Sequence, residues 1–183
     1  MEFQYTISPP LSFFDGIIAM PLEVEGLAPQ LTFRGDTYYL KEEFHSTLIP
    51  VKYIVTLLPD RETGQLSRQI LEEVETARVQ HEPSFLGYRN ELRHVRKDDR
   101  QSIVIMVDVA NLEPIFERLR HKYHIEIPSQ PTHVTLYTTW PSRGIGIPSQ
   151  EALNTTTKEI TGPGLEELKT AMEFNRAFGD QLG

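Results

Sequence analysis

The chain contains no cysteine among its 183 residues, which excludes disulfides, thiolate metal sites and a cysteine nucleophile. No apolar run approaches the roughly 18 residues that a membrane-spanning helix needs, so we expect no membrane partner. The first residues, MEFQYTISPP, lack the basic-then-apolar pattern of a secretion signal. The sequence therefore predicts a soluble protein of the cytoplasm.

Positive charge is also scarce, since 18 basic residues face 26 acidic ones and leave a formal net charge of −8. Proteins that bind long nucleic acids through non-specific phosphate contacts are normally basic. A phosphate ligand must therefore be bound at a focused site, which suits small nucleotides or RNA ends better than long duplexes. Hydrophobic residues make up 39% of the chain, enough to build a core.

Strand-like and helix-like segments alternate along the chain, and the two halves have a similar order. The best strand patterns cover 44–49, 85–95, 102–109 and 132–139, and 13–24 is expected to be one early strand. Apolar residues at helical spacing predict helices at 51–58, 61–80 and after 111. We expect one bilobal α+β domain over residues 1–183, with two antiparallel sheets lining a central cleft and helices outside.

Two four-residue strings contain the candidate catalytic residues: His45-Ser46-Thr47-Leu48 and His133-Val134-Thr135-Leu136. Random order would give only about 0.05 His-x-Thr-Leu strings in a chain of this composition. The two strings are 88 residues apart, close to half the chain, and both fall in predicted strands. A single strand histidine is most often structural, but a spaced pair favours a functional interpretation.

Residues i and i+2 of a strand lie about 6.5 Å apart and point to the same face of the sheet. His45 therefore projects with Thr47, and His133 projects with Thr135. If the two halves pack about a pseudo-twofold axis, the two strands lie side by side and the four side chains converge. Phosphoryl transfer at a ribose needs a base, an acid and donors for the non-bridging oxygens. Two imidazoles and two hydroxyls supply that set without a metal, so we expect no cofactor.

The strings FHSTLI and THVTLY resemble the hallmark of the two-histidine (2H) phosphoesterase superfamily, two His-x-Thr/Ser-hydrophobic motifs in a duplicated bilobal fold. The resemblance implies a metal-independent phosphodiesterase that acts on 2′,3′-cyclic phosphates of nucleotides or RNA ends, or on 2′-5′ linkages. It implies catalytic His45 and His133 and phosphate-binding Thr47 and Thr135. It also favours His133 as the base and His45 as the acid.

Other residues are candidates for substrate contact. Tyr137 shares the face of His133 if the strand alternates regularly, and it could stack on a base or simply fill space. Arg143 begins the loop 143–147, which follows the second motif and could border the pocket. His121 and His124 have no third ligand nearby, so we expect no metal site there. The basic stretch 89–100 is expected to be a solvated hairpin turn, with guidance of an RNA strand as its functional alternative.

The sequence therefore leaves two functions open. The first is the phosphodiesterase, acting as a monomer on a nucleotide or an RNA end with a cyclic phosphate. The alternative is a catalytically inactive module that binds a nucleotide or an RNA end in the same pocket. Intact histidine and threonine at all four motif positions favour the enzyme, because an inactive relative gains nothing from keeping both histidines.

Overall fold

A computed structural model describes residues 7–140, 144–179 and 182 of the chain. The protein is an α+β fold, as the sequence predicts. Its strands are β1 (Ser12–Phe14), β2 (Ile17–Leu22), β3 (Gln30–Phe33), β4 (Asp36–Leu40), β5 (Phe44–Ile49), β6 (Ser84–Lys97), β7 (Arg100–Ala110), β8 (His133–Thr138) and β9 (Thr157–Glu159). Its helices are α1 (Val51–Thr56), α2 (Thr63–Arg78), α3 (Glu113–Tyr123), α4 (Gln150–Thr156), α5 (Pro163–Ala171) and α6 (Phe174–Phe178).

The strands form one continuous sheet rather than the two separate sheets expected from the sequence. Its main path runs β1-β2-β5-β8-β7-β6-β9, and the β3–β4 hairpin joins it where β4 pairs with β8. Each pairing between these named strands is antiparallel. The expectation of two sheets is wrong because β5, from the first half of the chain, pairs directly with β8, from the second.

The two motif strands are therefore neighbours at the centre of the sheet. Ser46 of β5 lies opposite Val134 of β8. Both of these residues are fully buried, and they alternate with the histidines and threonines along each strand. Since successive side chains of a strand point to opposite faces, this register places His45, Thr47 and the second motif's polar side chains on the other face.

Most helices cover the face opposite the motif side chains. Leu48 of β5 packs with Ile18 and Met20 of β2 against the buried sides of α1, α2 and α3. Val134 and Leu136 of β8 belong to a second core, which α5 and α6 close. Helices thus cover one face of the sheet, whereas the motif face is partly open.

The motif face has its own smaller core, formed where α4 and the loop before it cross β7. Val104 and Met106 of β7 pack there with Ile145, Ile147 and Leu153. This cluster covers only the β7 side of the face. The part of the face above β5 and β8 therefore stays accessible next to the loop.

The first expected strand, 13–24, is a hairpin of β1 and β2. Asp15 and Gly16 form its turn with positive φ values of 49° and 76°, the backbone that favours an Asp-Gly pair. A Cβ at Gly16 would lie 2.8 Å from the Cβ of Lys52, and the Lys52 amide donates a hydrogen bond to the Gly16 carbonyl. The turn thereby fixes the start of α1 beside β1.

None of the helices in the described part of the chain is long and apolar enough to cross a membrane.

Candidate active site

A cavity of about 1040 Å³ opens on the motif face of the sheet. Both histidines and both threonines of the two motifs line it. The other residues of its wall are Phe14, Asp15, Gly16, Ile17, Lys41, Glu43, Lys52, Arg100, Gly144, Ile145 and Gly146. The structure thus brings together the four side chains that the sequence singled out, and we call this cavity the phosphate pocket after the ligand that the sequence leads us to expect there.

His133 is held in one orientation at the floor of the pocket. Its residue surface is only 6% exposed, and its Nδ1 lies 3.1 Å from the carbonyl oxygen of Pro131. A carbonyl oxygen can only accept, so Nδ1 carries the proton and Nε2 keeps a lone pair in the neutral ring. Burial lowers the pKa of His133 from its ordinary value of 6.5; the hydrogen bond to Pro131 opposes this effect, and the neighbouring charge of His45 adds to it. His133 is therefore a neutral imidazole at pH 7.

His45 is held more loosely at the mouth. Its ring packs against the edge of Phe14, with ring centres 5.0 Å apart, and it makes no hydrogen bond with any residue that the structure describes. Burial, followed by the charge of Lys41, lowers the pKa of His45, while Glu43 opposes this effect. An incoming anion would raise that pKa again, because it stabilises the imidazolium.

Thr47 and Thr135 occupy the same face of the sheet, each two residues after its histidine. The Gln130 side chain donates a hydrogen bond of 3.2 Å to the Thr47 carbonyl, which ties β5 to the segment that leads into β8. On the other side, a Cβ at Gly144 would lie 3.4 Å from the Thr135 hydroxyl oxygen. Both threonines therefore stand on central strands of the sheet, and the loop at Gly144 fits closely against Thr135.

The pocket is more positive than the protein as a whole. Lys41, Lys52 and Arg100 contribute three positive charges, and Asp15 and Glu43 contribute two negative ones. The local sum is +1 before the histidines are counted, whereas the whole chain carries −8. A cavity of this polarity attracts a small anion to one place on an acidic protein.

Sequence reasoning missed several residues of this wall. Lys52 is the second residue of α1, and Arg100 begins β7 in the basic stretch, for which the sequence favours a solvated turn with guidance of an RNA strand as the alternative. Phe14 was missed because 13–24 was expected to be one strand, although the Asp15-Gly16 pair is a recognised hairpin signal. The loop borders the pocket as expected, since Gly144, Ile145 and Gly146 line it. Arg143 lies outside the described residues.

Tyr137 does not face the pocket, and the regular alternation expected for its strand is wrong. The pairing of β8 with β7 shifts by one residue between Ile103–Tyr137 and Val104–Thr135, which is a β-bulge at Leu136. The bulge turns Tyr137 into the core with Leu136, where its ring is fully buried. Its hydroxyl donates a hydrogen bond of 2.8 Å to the carbonyl of Ala28. Tyr137 is thus a core residue.

Comparison with known proteins adds no relative: no family model, no curated protein and no solved structure matches this chain. Within residues 7–140, 144–179 and 182, no group of three or more histidine, cysteine or acidic side chains could hold a metal ion.

Proposed function

We propose that the protein is a phosphodiesterase of the two-histidine type, which opens 2′,3′-cyclic phosphates of nucleotides or RNA ends by general acid–base catalysis. The observation that carries this proposal is that His45, Thr47, His133 and Thr135 line a single cavity. They come from strands that are far apart in sequence and adjacent in the sheet. The resemblance to the two-histidine phosphoesterases and this juxtaposition point to the same chemistry.

His133 is the general base in this proposal. Because the Nδ1–H of His133 donates a hydrogen bond to the Pro131 carbonyl, the lone pair of Nε2 is the acceptor that the ring has available. Nε2 takes a proton from a water molecule as the water oxygen attacks phosphorus. The lowered pKa keeps the ring neutral and able to accept at pH 7.

His45 is the general acid. The bond between phosphorus and one ribose oxygen breaks as the bond from the water oxygen forms, and the His45 imidazolium gives its proton to that leaving oxygen. The product is a phosphomonoester on the ribose. The bound phosphate raises the pKa of His45 and so supplies the protonated form when substrate is present.

The threonines and cations hold the phosphate during transfer. The hydroxyls of Thr47 and Thr135 donate to its non-bridging oxygens, and Lys52 and Arg100 offset the negative charge that these oxygens carry. These donors stand on the ends or interiors of regular elements, so they are in place before the substrate arrives. Every group that the reaction needs therefore belongs to the chain, and we expect activity without an added metal.

Phosphorus NMR tests the proposal directly. The protein is incubated with each of the four nucleoside 2′,3′-cyclic monophosphates in EDTA, and the conversion of the cyclic phosphate signal to a monoester signal is followed. We expect turnover by the wild type in the chelator. Activity that disappears in EDTA and returns with zinc or manganese would contradict the mechanism, and tight binding of all four without turnover would favour a binding module instead.

A further inference from the structure

We infer that a second cavity beside the phosphate pocket is a base subsite that selects guanine, with Phe14 as its stacking surface and Glu23 as the residue that reads the base. This inference deepens the proposed function and rests on it. It identifies the base of the cyclic nucleotide, which the two histidine motifs do not determine.

The second cavity has a volume of about 580 Å³ and shares part of its wall with the phosphate pocket. The shared residues are Phe14, Glu43 and His45. A ligand whose phosphate lies against His45 therefore has its next group at the entrance to this second cavity. In a nucleoside 2′,3′-cyclic phosphate, that group is the ribose and its base.

The lining of the second cavity suits a flat aromatic ring. Phe14 stands on the short edge strand β1 with 38% of its surface exposed, although it is a large apolar side chain. Partly buried Leu22, Val24 and Phe44 add apolar surface to the same cavity. Base stacking on an aromatic side chain contributes about 1–3 kcal/mol in nucleic-acid binding proteins, so an exposed phenyl ring at this position is an effective support for a base.

The polar groups of the second cavity differ from those of the phosphate pocket. Apart from His45, its ionisable side chains are all glutamates: Glu23, Glu25, Glu42 and Glu43, of which Glu43 also lines the phosphate pocket. None of the four has an ion-pair partner within the described part of the chain. Carboxylates repel phosphate, so a substrate can enter the two cavities in only one orientation, with its phosphate on the histidine side and a hydrogen-bond donor on the glutamate side.

Glu23 is the proposed acceptor for that hydrogen-bond donor. Pro21 lies opposite His45 in the β2–β5 pairing, and Glu23, the first residue after β2, lines the second cavity together with Phe14 and His45. An ionised carboxylate has two acceptor oxygens and no donor. It pairs best with a base that offers two adjacent donors.

Guanine is the base that meets this requirement. Its N1–H and N2–H2 groups lie side by side and can bind both oxygens of one carboxylate. Adenine and cytosine present an unprotonated ring nitrogen beside their amino group, and uracil flanks its single N–H with two carbonyl oxygens. Each of these would place an acceptor against the carboxylate, which leaves a polar group unpaired and lowers affinity.

The test compares the four nucleoside 2′,3′-cyclic monophosphates as substrates of the wild type. We expect kcat/KM for the guanosine compound to exceed that for the adenosine compound about tenfold or more, the usual effect of one bidentate contact. Glu23→Gln should reduce that ratio to about one or below, because the amide brings a donor to the position of a carboxylate oxygen. Phe14→Leu should lower kcat/KM for all four compounds and leave the ratio unchanged.

The matched control is Glu159→Gln, which removes an exposed carboxylate from β9 at the far edge of the sheet and should leave the ratio unchanged. Binding of the same four compounds to the His133→Ala variant, measured by calorimetry, gives a readout that does not depend on turnover. Equal turnover of all four, or a ratio unaffected by Glu23→Gln, would overturn the guanine subsite and leave the proposed phosphodiesterase standing. Preferential binding of the guanosine compound without turnover by the wild type would support the subsite and overturn the proposed hydrolysis.

Discussion

The Nδ1 nitrogen of His133 lies 3.1 Å from the carbonyl oxygen of Pro131, two residues earlier in the chain. His45, on the neighbouring strand, has no such partner among the described residues and packs on the ring of Phe14. Two histidines from nearly identical motifs are therefore held differently. The fixed tautomer of His133 suits a base that must accept at Nε2, and the absence of such a hydrogen bond at His45 suits a ring that is charged only when substrate is bound.

The first prediction concerns the two histidines as a pair. His45→Ala and His133→Ala should each lower kcat for a cyclic nucleotide by about 10²–10⁴, because each removes one proton-transfer group. His121→Ala is the matched control, since His121 is an exposed residue in the last turn of α3 and should leave kcat within about twofold. Steady-state kinetics on folded, purified variants provide the measurement. A motif variant with wild-type kcat would remove that histidine from the mechanism.

The second prediction concerns pH. Burial lowers the pKa values of both His45 and His133 below 6.5 in the free protein. Catalysis needs one ring neutral and one protonated, so kcat/KM should be bell-shaped with its maximum below pH 6.5. Bound phosphate favours the imidazolium, so the maximum of kcat should lie at higher pH than that of kcat/KM. Coinciding profiles, or a kcat/KM maximum above pH 7, would show that the two rings do not titrate as described.

The third prediction concerns the cations of the phosphate pocket. Lys52→Ala and Arg100→Ala should each raise KM by about five- to thirtyfold, which corresponds to roughly 1–2 kcal/mol of lost attraction at a partly solvated site. The increase should shrink as salt is added. Lys158→Ala, which removes an exposed charge from β9, should leave KM unchanged. An equal effect of all three variants would mean that only the overall charge of the protein matters.

The fourth prediction separates Tyr137 from the pocket. Tyr137→Phe removes the partly buried hydrogen bond to the carbonyl of Ala28 and should lower the free energy of unfolding by about 0.5–1.5 kcal/mol. It should leave kcat/KM within about twofold, because the ring lies on the other side of the sheet from the histidines. Denaturant unfolding and steady-state kinetics on the same variant check both parts. Lost activity with unchanged stability would indicate that Tyr137 contacts the substrate.

Local patterns in the sequence were sufficient to find the motif strands. Alternating side chains identify 44–49 and 132–139 as strands, and β5 and β8 are found there. The His-x-Thr spacing then places each histidine on the face of its threonine, which the pocket lining bears out. These predictions succeed because strand periodicity and i, i+2 geometry are properties of a few consecutive residues.

Non-local features could not be found in this way. The pairing of β5 with β8 joins residues about half a chain apart, and it is this pairing that merges the two expected sheets into one. The positions of Lys52 and Arg100 depend on the same assembly, since these two residues are 48 positions apart in the sequence and line one pocket. The bulge that turns Tyr137 inward leaves no sign in the string THVTLYT, because it is set by the partner strand β7.

A substrate with an activated leaving group tests most directly the proposed roles of the two histidines in one phosphoryl transfer. A ribose oxygen needs a proton to leave, whereas an aryl oxygen such as nitrophenolate does not. We predict that hydrolysis of a nitrophenyl phosphodiester by His45→Ala stays close to the wild-type rate, while His133→Ala remains about 10²–10⁴ slower. Recovery of His133→Ala instead would exchange the two roles, and recovery of both variants would contradict the acid–base pair altogether.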